Sequence, residues 1–283
     1  MSSSHPVALV TGCRAGIGRA TALALARAGY KVYAGLRDPA TAGELVAASE
    51  GLPIVPIALD VTVPAERDRV VGDIAQAEGR LDVLVNNAGV ALDGPLELVS
   101  ELELRHVLDV NVVGAWGMTR ACLPIMRANE SGHVIMISSM SGRMAMPGMG
   151  AYAASKFALE GMSEAWRHEV APFGVQVVLV EPGPYRTDLF ARSVAERAVA
   201  SPGPYERFVA RFRELQAGVL RAAGDPEEVA QLVVRLVQDP RPALRHPIGP
   251  TTTLRLALKR LLPDGALEAL VRLVTSPRRR RRE

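Results

Sequence analysis

The sequence predicts an α/β protein built on a doubly wound parallel sheet, and two patterns support this prediction. Short, almost entirely apolar runs alternate with stretches of helical periodicity along most of the chain. Strands covered by helices on both faces are expected to be apolar throughout, and strand–helix–strand repetition favours a parallel sheet with right-handed crossovers. The six predicted strands cover residues 7–10, 31–36, 54–59, 81–85, 134–137 and 175–180.

Helical patterns fill the intervals between these strands. The first predicted helix ends near Ala28, and later ones cover residues 65–78, 101–126 and 152–173. A further amphipathic stretch, 254–274, is interpreted as a helix packed against the body or a partner subunit, with a membrane surface as the alternative. No domain boundary precedes it. We therefore expect a single domain over residues 5–250, a helical extension over 251–277 and a basic tail over 278–283.

Composition narrows the class of protein. The 283 residues are 48% hydrophobic but only 4% aromatic, so the core must consist mainly of aliphatic side chains. The net charge of +3 comes from the tail, since the chain without residues 278–283 carries 28 basic and 29 acidic residues. We expect no nucleic-acid partner. The arginine run at 278–282 is interpreted as a solvated end, with weak attachment to acidic lipid as the alternative.

The cysteines and the N-terminus indicate a cytoplasmic protein. Cys13 and Cys122 show no metal-ligand spacing and form no disulfide framework, so we predict no metal site. Residues 1–6 lead into the first strand without the pattern of a secretory signal, and no apolar run approaches membrane-spanning length.

A glycine-rich loop joins the first strand to the first helix. It reads Thr11-Gly12-Cys13-Arg14-Ala15-Gly16-Ile17-Gly18. Glycines allow the backbone to turn tightly and approach a pyrophosphate, while the helix N-terminus offers free N–H groups and the favourable end of its dipole. The sequence therefore predicts a Rossmann-type dinucleotide site, although a tight turn alone is the simpler alternative.

The end of the second strand favours NADP(H), with NAD(H) as the alternative. NAD sites usually place a carboxylate here, but the strand ends in Leu36, followed by Arg37. The Arg37 guanidinium is suited to a 2′-phosphate, and Arg14 adds positive charge. Asp38 is either a ribose acceptor or the start of the turn before Pro39.

Polar or small residues also follow the third and fourth strands. Asp60, followed by Val61, is a candidate acceptor from the adenine amine or simply a turn aspartate. The segment Asn86-Asn87-Ala88-Gly89 consists of amide-bearing and small residues, which would let its backbone run beside the cofactor ribose.

Three side chains form a candidate catalytic group. Tyr152 and Lys156 are four residues apart and share a helix face, so an ammonium group is expected to lower the pKa of the phenol. Such a tyrosine can exchange a proton with a carbonyl oxygen. Ser139 follows the fifth strand and could bind that oxygen, with Ser138 and Ser141 as rival hydroxyls.

These motifs together resemble the short-chain dehydrogenase/reductase family. The glycine loop, Asn86-Asn87-Ala88-Gly89, Asn111, Ser139, Tyr152-x-x-x-Lys156 and Pro182-Gly183 occur in the family's order and at its spacings, over roughly residues 5–190. One departure is Ala15, which stands where many NADP-preferring members have a basic residue.

The resemblance implies a role for each matching residue. Tyr152 would be the general acid/base, Ser139 would orient the substrate oxygen, and Lys156 would bind the nicotinamide ribose. Asn111 would help hold a water for proton relay, although a buried asparagine at a helix kink is the simpler reading. Thr187 would hold the nicotinamide carboxamide. The full set of expected cofactor contacts is Gly12, Arg14, Gly16, Ile17, Gly18, Arg37, Asp60, Val61, Asn87, Ala88, Gly89, Tyr152, Lys156, Pro182, Gly183 and Thr187.

Within the family, the sequence looks most like the hydroxysteroid and retinol dehydrogenases. A C-terminal helical substrate lid is expected at about residues 184–224, and it carries Tyr185, Phe190, Tyr205, Phe208 and Phe212. Methionines 140, 144, 146 and 149 line the loop before Tyr152. These side chains favour an apolar alcohol or carbonyl substrate, with a steroid- or retinoid-like compound as one candidate, unless they merely pack the lid. Expected substrate contacts are Ser139, Met146, Tyr152 and Tyr185.

Two alternative functions use the same fold. Epimerase- or dehydratase-type relatives share the Tyr-x-x-x-Lys pair but normally differ in glycine spacing and length. A dinucleotide-sensing or scaffold protein typically lacks one of the three catalytic side chains, and this chain has all three. We therefore favour an NADP(H)-dependent oxidoreductase, expected to be a homodimer or homotetramer.

Overall fold

A computed structural model describes residues 5–187, 189 and 203–275 of the chain. Its centre is a parallel sheet of seven strands in the order β3-β2-β1-β4-β5-β6-β7. The strands are β1 Val7–Thr11, β2 Lys31–Leu36, β3 Ile54–Ala58, β4 Val83–Asn86, β5 Gly132–Ile137, β6 Val175–Pro182 and β7 Arg245–Ile248. The predicted fold class is confirmed, and all six predicted strands are present with small differences at their ends.

The sequence analysis missed β7. This strand reads Arg245-His246-Pro247-Ile248, so it lacks an apolar run, and Pro247 is tolerated because the strand lies at the edge of the sheet. Arg245 contacts two buried carboxylates, Glu160 at 3.0 Å and Glu181 at 3.3 Å. Ion pairing therefore contributes to the docking of a strand that apolar burial alone would not define.

Ten α-helices surround the sheet in the described part of the chain. They are α1 Gly16–Arg27, α2 Gly43–Ala48, α3 Pro64–Glu78, α4 Glu101–Leu108, α5 Ala115–Ala128, α6 Gly150–Glu169, α7 Glu206–Arg221, α8 Pro226–Gln238, α9 Thr252–Leu261 and α10 Asp264–Thr275. Three expected helices differ from prediction. A π-helical turn, Asp109–Gly114, interrupts the one at 101–126, and α6 ends four residues before Phe173. Pro263 separates the predicted 254–274 helix into α9 and α10.

Each face of the sheet has its own core. On one face, α1 and α8 bury side chains such as Leu25, Val229 and Val233. On the other, α3, α5 and α6 bury Ile74, Met118 and Leu159. Full burial of one such side chain stabilises the fold by roughly 1.5–3 kcal/mol. This double cover explains why the central strands are apolar on both faces.

The strand order locates the ligand-binding edge. β1 lies between β2 and β4, so the chain winds in opposite directions from this point. In open parallel sheets of this kind, a crevice forms beyond the carboxyl ends of the strands at the reversal. The loops after β1 and β4 therefore face one another there.

The C-terminal helices leave part of their apolar surface uncovered by the body. We predicted that the apolar face of 254–274 packs against the body or a partner subunit, and Leu254, Leu258, Leu261, Leu270 and Leu273 are exposed on the single chain. Packing of this face against a partner therefore stays a prediction. Among the described residues, none of the helices combines the length and apolar character needed to span a bilayer.

Candidate active site

The glycine loop after β1 has the shape of a phosphate cradle. Gly12 and Gly16 adopt positive φ angles of 72° and 58°, which side-chain-bearing residues rarely tolerate. A Cβ on Gly18 would overlap the Asn87 amide and the Gly12 carbonyl oxygen. No side chain caps the start of α1 and no acidic residue occupies its first turn, so the positive end of its dipole can receive an anion. The residues present therefore fit a dinucleotide pyrophosphate.

Hydrogen bonds join this loop to the loop after β4. Asn87 Nδ2 donates to the carbonyl oxygens of Thr11, at 2.8 Å, and Gly12, at 3.1 Å. The Thr11 hydroxyl in turn accepts from the backbone N–H groups of Asn87 and Ala88. Asn87 thus holds the two loops together, an arrangement that its predicted role as a direct cofactor contact did not include.

Asp38 takes part in the turn after β2. One of its carboxylate oxygens accepts from the N–H of Ala40 at 2.9 Å and caps the turn that begins at Pro39, and contact with a ribose stays a prediction for the other oxygen. Arg37 is exposed at the end of β2, whereas Leu36 is buried in the core. The basic side chain is therefore the one available to a ligand at this position.

Asp60 has a similar local role. Its Oδ1 atom accepts from the backbone N–H of Thr62 at 2.9 Å and from the Thr62 hydroxyl at 2.7 Å. Burial alone would raise the pKa of Asp60, but these hydrogen bonds outweigh it and lower the pKa. Asp60 is therefore a turn aspartate, and contact with adenine remains a prediction for its other oxygen.

Ser139 and Tyr152 meet at the end of β5. Ser139 begins the short 3₁₀ turn Met140–Gly142 and accepts from the N–H of Ser141 at 3.1 Å. It also hydrogen-bonds the Tyr152 hydroxyl, whereas Ser138 is buried below this position. Of the three rival serines, Ser139 is thus the one that contacts the tyrosine.

The pKa of Tyr152 differs from the expected direction. Burial raises it to about 12, and the hydrogen bond with Ser139 opposes this only in part. Lys156 Nζ lies 5.7 Å from the centre of the tyrosine ring and donates to the Ile137 carbonyl at 2.8 Å. Burial also lowers the pKa of Lys156 to about 8, against the opposing charge of Glu160. The prediction that lysine lowers the tyrosine pKa is therefore wrong for this arrangement, because burial affects both groups more strongly.

Asn111 lies in the π-helical turn and connects three elements. Its Nδ2 donates to the Val90 carbonyl and the Ser155 hydroxyl, both at 2.9 Å, and its Oδ1 accepts from the Val90 N–H. Both amide hydrogens are thus used within the protein, which fits a buried asparagine at a helix irregularity. Ser155 was missed by the sequence analysis, although it directly precedes Lys156 in the recognised motif.

The residues after β6 contact two different parts of the protein, the glycine loop and β7. Thr187 lies against the glycine loop, since a Cβ on Gly16 would be 2.8 Å from its methyl group. Gly183 donates to the Ile248 carbonyl at 2.8 Å, which ties the segment after Pro182 to β7. Thr187 is therefore placed at the cofactor side of the crevice.

Tyr185 requires a correction. It was expected to contact substrate, but its ring is buried in the core with α8 and its hydroxyl donates to Glu228 at 3.2 Å. A Cβ on Gly224 would be 2.6 Å from the ring, so the tyrosine packs closely on this glycine. Its predicted role in substrate binding is wrong, because its side chain points into the protein.

Aromatic side chains of α7 contact the loop before α6. Phe208 and Phe212 stack with ring centres 6.3 Å apart, and a Cβ on Gly148 would be 2.7 Å from Phe212. Half-buried Met146 lies on the same loop as Gly148. The predicted lid, 184–224, lies partly outside the described residues, and so does Phe190.

Other chemistries find little support in the described residues. Burial raises the pKa of the thiols of Cys13 and Cys122, so neither is suited to be a nucleophile. No group of three or more His, Cys, Asp or Glu side chains is arranged to hold a metal ion in the part of the chain that the structure describes.

Comparison with known proteins agrees with this geometry. The short chain dehydrogenase family profile matches residues 6–198, so the chain belongs to this family of oxidoreductases. It is 40% identical over 264 residues to human 17-beta-hydroxysteroid dehydrogenase type 1, covering 86% of this chain and 77% of that protein. It is also 34% identical over 284 residues to bovine retinol dehydrogenase 8, covering 94% and 89% of the two chains.

Solved structures show the same fold. A short-chain dehydrogenase from Streptomyces avermitilis matches with a TM-score of 0.76 and 36% identity, covering 97% of this chain and 96% of the other. A metagenomic short-chain oxidoreductase in complex with NADP matches with a TM-score of 0.68 and 30% identity, covering 87% and 97%.

Proposed function

We propose that the protein transfers a hydride between NADP(H) and the alcohol/carbonyl pair of an apolar, steroid- or retinoid-like substrate. The observation that carries the proposal is the hydrogen-bonded pair Ser139 and Tyr152, with Lys156 one helical turn away. This group lies at the carboxyl end of β5, on the same edge of the sheet as the glycine loop. A proton donor and a dinucleotide cradle therefore share one crevice.

The protein's own residues would perform the proton chemistry. The cofactor supplies or accepts the hydride when bound. In the reducing direction, the Tyr152 hydroxyl donates a proton to the substrate oxygen, and Ser139 holds that oxygen by a hydrogen bond. A pKa near 12 keeps the phenol protonated at neutral pH, which suits its use as a donor. Lys156, whose Nζ is fixed by the Ile137 carbonyl, would bind the ribose hydroxyls.

The preference for NADP(H) rests on charge at the end of β2. Exposed Arg37 is followed by Asp38, one of whose carboxylate oxygens already accepts a hydrogen bond within a turn. A guanidinium can bind a 2′-phosphate with two parallel hydrogen bonds. The NADP-bound metagenomic relative supports the same choice.

An apolar substrate is supported by two observations. Phe208, Phe212 and the methionines of the loop before α6 provide an adaptable apolar cover. Two relatives, a hydroxysteroid dehydrogenase and a retinol dehydrogenase, are named for substrates of this chemical class.

A carbonyl panel tests the proposal. Purified protein is incubated with NADPH or NADH and a steroid ketone, retinal, a short aliphatic ketone or a sugar aldehyde, and loss of reduced cofactor is followed by absorbance. We expect turnover with NADPH and the bulky apolar carbonyls. NADPH binding without turnover of any carbonyl would instead support a sensor or scaffold, and turnover of the sugar alone would overturn the assigned substrate class.

We also propose a homodimer or homotetramer. Val113 in the π-helical turn, Trp116 at the start of α5 and Phe157 on α6 are large apolar side chains that remain substantially exposed. Burial of such groups between subunits would stabilise an oligomer. Light scattering coupled to gel filtration measures the assembly directly, and a monomer at micromolar concentration would contradict the proposal.

A further inference from the structure

Helix α9 has two opposite faces, and only one of them contacts the rest of the described chain. Thr252, Leu256 and Lys259 are spaced by four and three residues and face the body. Thr252 is fully buried against Gly183, and Lys259 lies over the ring of Phe157. This face fixes the orientation of the helix.

The opposite face of α9 is apolar and points away from the body. Leu254, Leu258 and Leu261 have the same four-and-three spacing, and they are 61%, 38% and 79% exposed. A helical stripe of this kind normally packs inward, since burial of each leucine is favourable by roughly 1.5–3 kcal/mol. Here nothing in the described part of the chain covers it.

Helix α10 also carries exposed leucines. It packs beside α7, with Leu267 and Val271 partly buried, while Leu270 and Leu273 are exposed. We call the five exposed side chains Leu254, Leu258, Leu261, Leu270 and Leu273 the outer leucines. They belong to two consecutive helices, so several leucines of this region are exposed and not one alone.

The charge of this region differs from that of the rest of the chain. Residues 251–283 contain nine basic and three acidic residues, whereas the preceding 250 residues contain 24 basic and 27 acidic ones. Arg255 and Arg260 lie on the two sides of the α9 leucine stripe, and both are exposed. The sequence then ends with the arginine run at 278–282.

We propose that the outer leucines insert into the surface of an anionic phospholipid bilayer, with Arg255 and Arg260 binding the head groups. An exposed leucine stripe flanked by cations matches an interfacial helix. A second copy of the chain fits less well, because two such faces would bring like charges together, whereas an anionic bilayer supplies the opposite charge. The α9 helix begins against Gly183, so this surface adjoins the loops at the ligand-binding edge of the sheet.

Vesicle co-sedimentation tests the apolar part of the proposal. The full chain is mixed with phosphatidylcholine vesicles with and without phosphatidylserine. Leu261→Ser is compared with Leu102→Ser, a matched control because Leu102 on α4 is 80% exposed. We expect binding to the phosphatidylserine vesicles, about a tenfold fall in partition for Leu261→Ser, and no change for the control.

Charge variants test the head-group contacts. Arg255→Gln and Arg260→Gln should each weaken partition about fivefold, and added salt should weaken it further. Arg27→Gln, at an exposed position at the end of α1, is the control.

Three results would overturn the proposal. They are absence of binding to phosphatidylserine vesicles, binding that is insensitive to Leu261→Ser, and dissociation of a larger assembly by Leu261→Ser in light scattering. The last result would show that a second copy covers the leucines. Circular dichroism melting of each variant confirms folding, and vesicle binding needs no turnover, so the outcome is independent of the proposed function.

Discussion

The catalytic crevice and the C-terminal helices use apolar side chains in opposite ways. Around the crevice, the strands and helices direct them inward, and Val10, Ile135 and Leu159 are almost completely buried. In α9 and α10, the outer leucines point outward. The same residue types are thus buried internally in one region, whereas in the other the described part of the chain leaves them uncovered. The difference teaches that the chain itself packs the crevice, and the proposed bilayer contact would cover the C-terminal leucines from outside.

The largest effect is expected from removing one oxygen atom in the crevice. Tyr152→Phe keeps the packing of the ring but cannot exchange a proton, so turnover should fall by about a hundredfold or more while NADPH binding survives. Steady-state kinetics and cofactor titration measure the two quantities.

Tyr185→Phe is the matched control for this experiment. Tyr185 is also buried, but its hydroxyl bonds Glu228 in the core, so its loss should affect stability and leave turnover largely intact. A Tyr152→Phe enzyme with more than about a tenth of normal turnover would show that another group transfers the proton.

The next effect concerns cofactor choice. Arg37→Ala should raise the Kd for NADPH by roughly tenfold to a hundredfold and leave that for NADH nearly unchanged, since a charged hydrogen-bonded pair contributes about 1.5–3 kcal/mol. Fluorescence titration with both cofactors checks this, with Arg27→Ala as the control. Equal affinity of the normal protein for both cofactors would contradict the assignment. Leu36→Asp is a poor test, because Leu36 is buried.

Glycine-to-alanine substitutions in the two regions allow a direct comparison of how tightly each region is packed. Gly18→Ala places a methyl group onto the Asn87 amide and the Gly12 carbonyl, so it should displace the cradle, weaken NADPH binding and lower the free energy of unfolding by about 1–3 kcal/mol. Gly265→Ala in α10 meets open space and should be neutral or stabilising by up to about 1 kcal/mol. Thermal and denaturant unfolding measure both. Equal losses of stability would mean that the cradle is no more tightly packed than the C-terminal surface.

The smallest effect is a pH dependence inside the crevice. Burial lowers the pKa of Lys156 to about 8, so its ammonium is present below that pH and lost above it. Reduction should therefore slow several-fold as pH rises through about 8, while Tyr152, with a pKa near 12, stays protonated. The pH profile of kcat/KM measures this. Lys156→Arg should flatten the profile, since arginine stays charged, and an unchanged alkaline limb in that variant would assign the transition to another group.

Local patterns in the sequence determined most of the sheet and the candidate site. The apolar runs predicted six strands because burial on both faces demands apolar residues at every position. The glycine loop and the set Ser139, Tyr152 and Lys156 were recognisable because short-range geometry constrains their spacing.

Tertiary structure decided what depends on distant partners. β7 docks through Arg245, which contacts Glu160 although the two residues are 85 positions apart in the sequence. No local sequence pattern predicts such a pair. Tyr185 looked like a pocket aromatic, but α8 buries it. The pKa of Tyr152 is set by the burial around it, and only packing determines which face of α9 meets the body. Burial and long-range pairing are sums over residues far apart in the chain, which is why the sequence alone left them open.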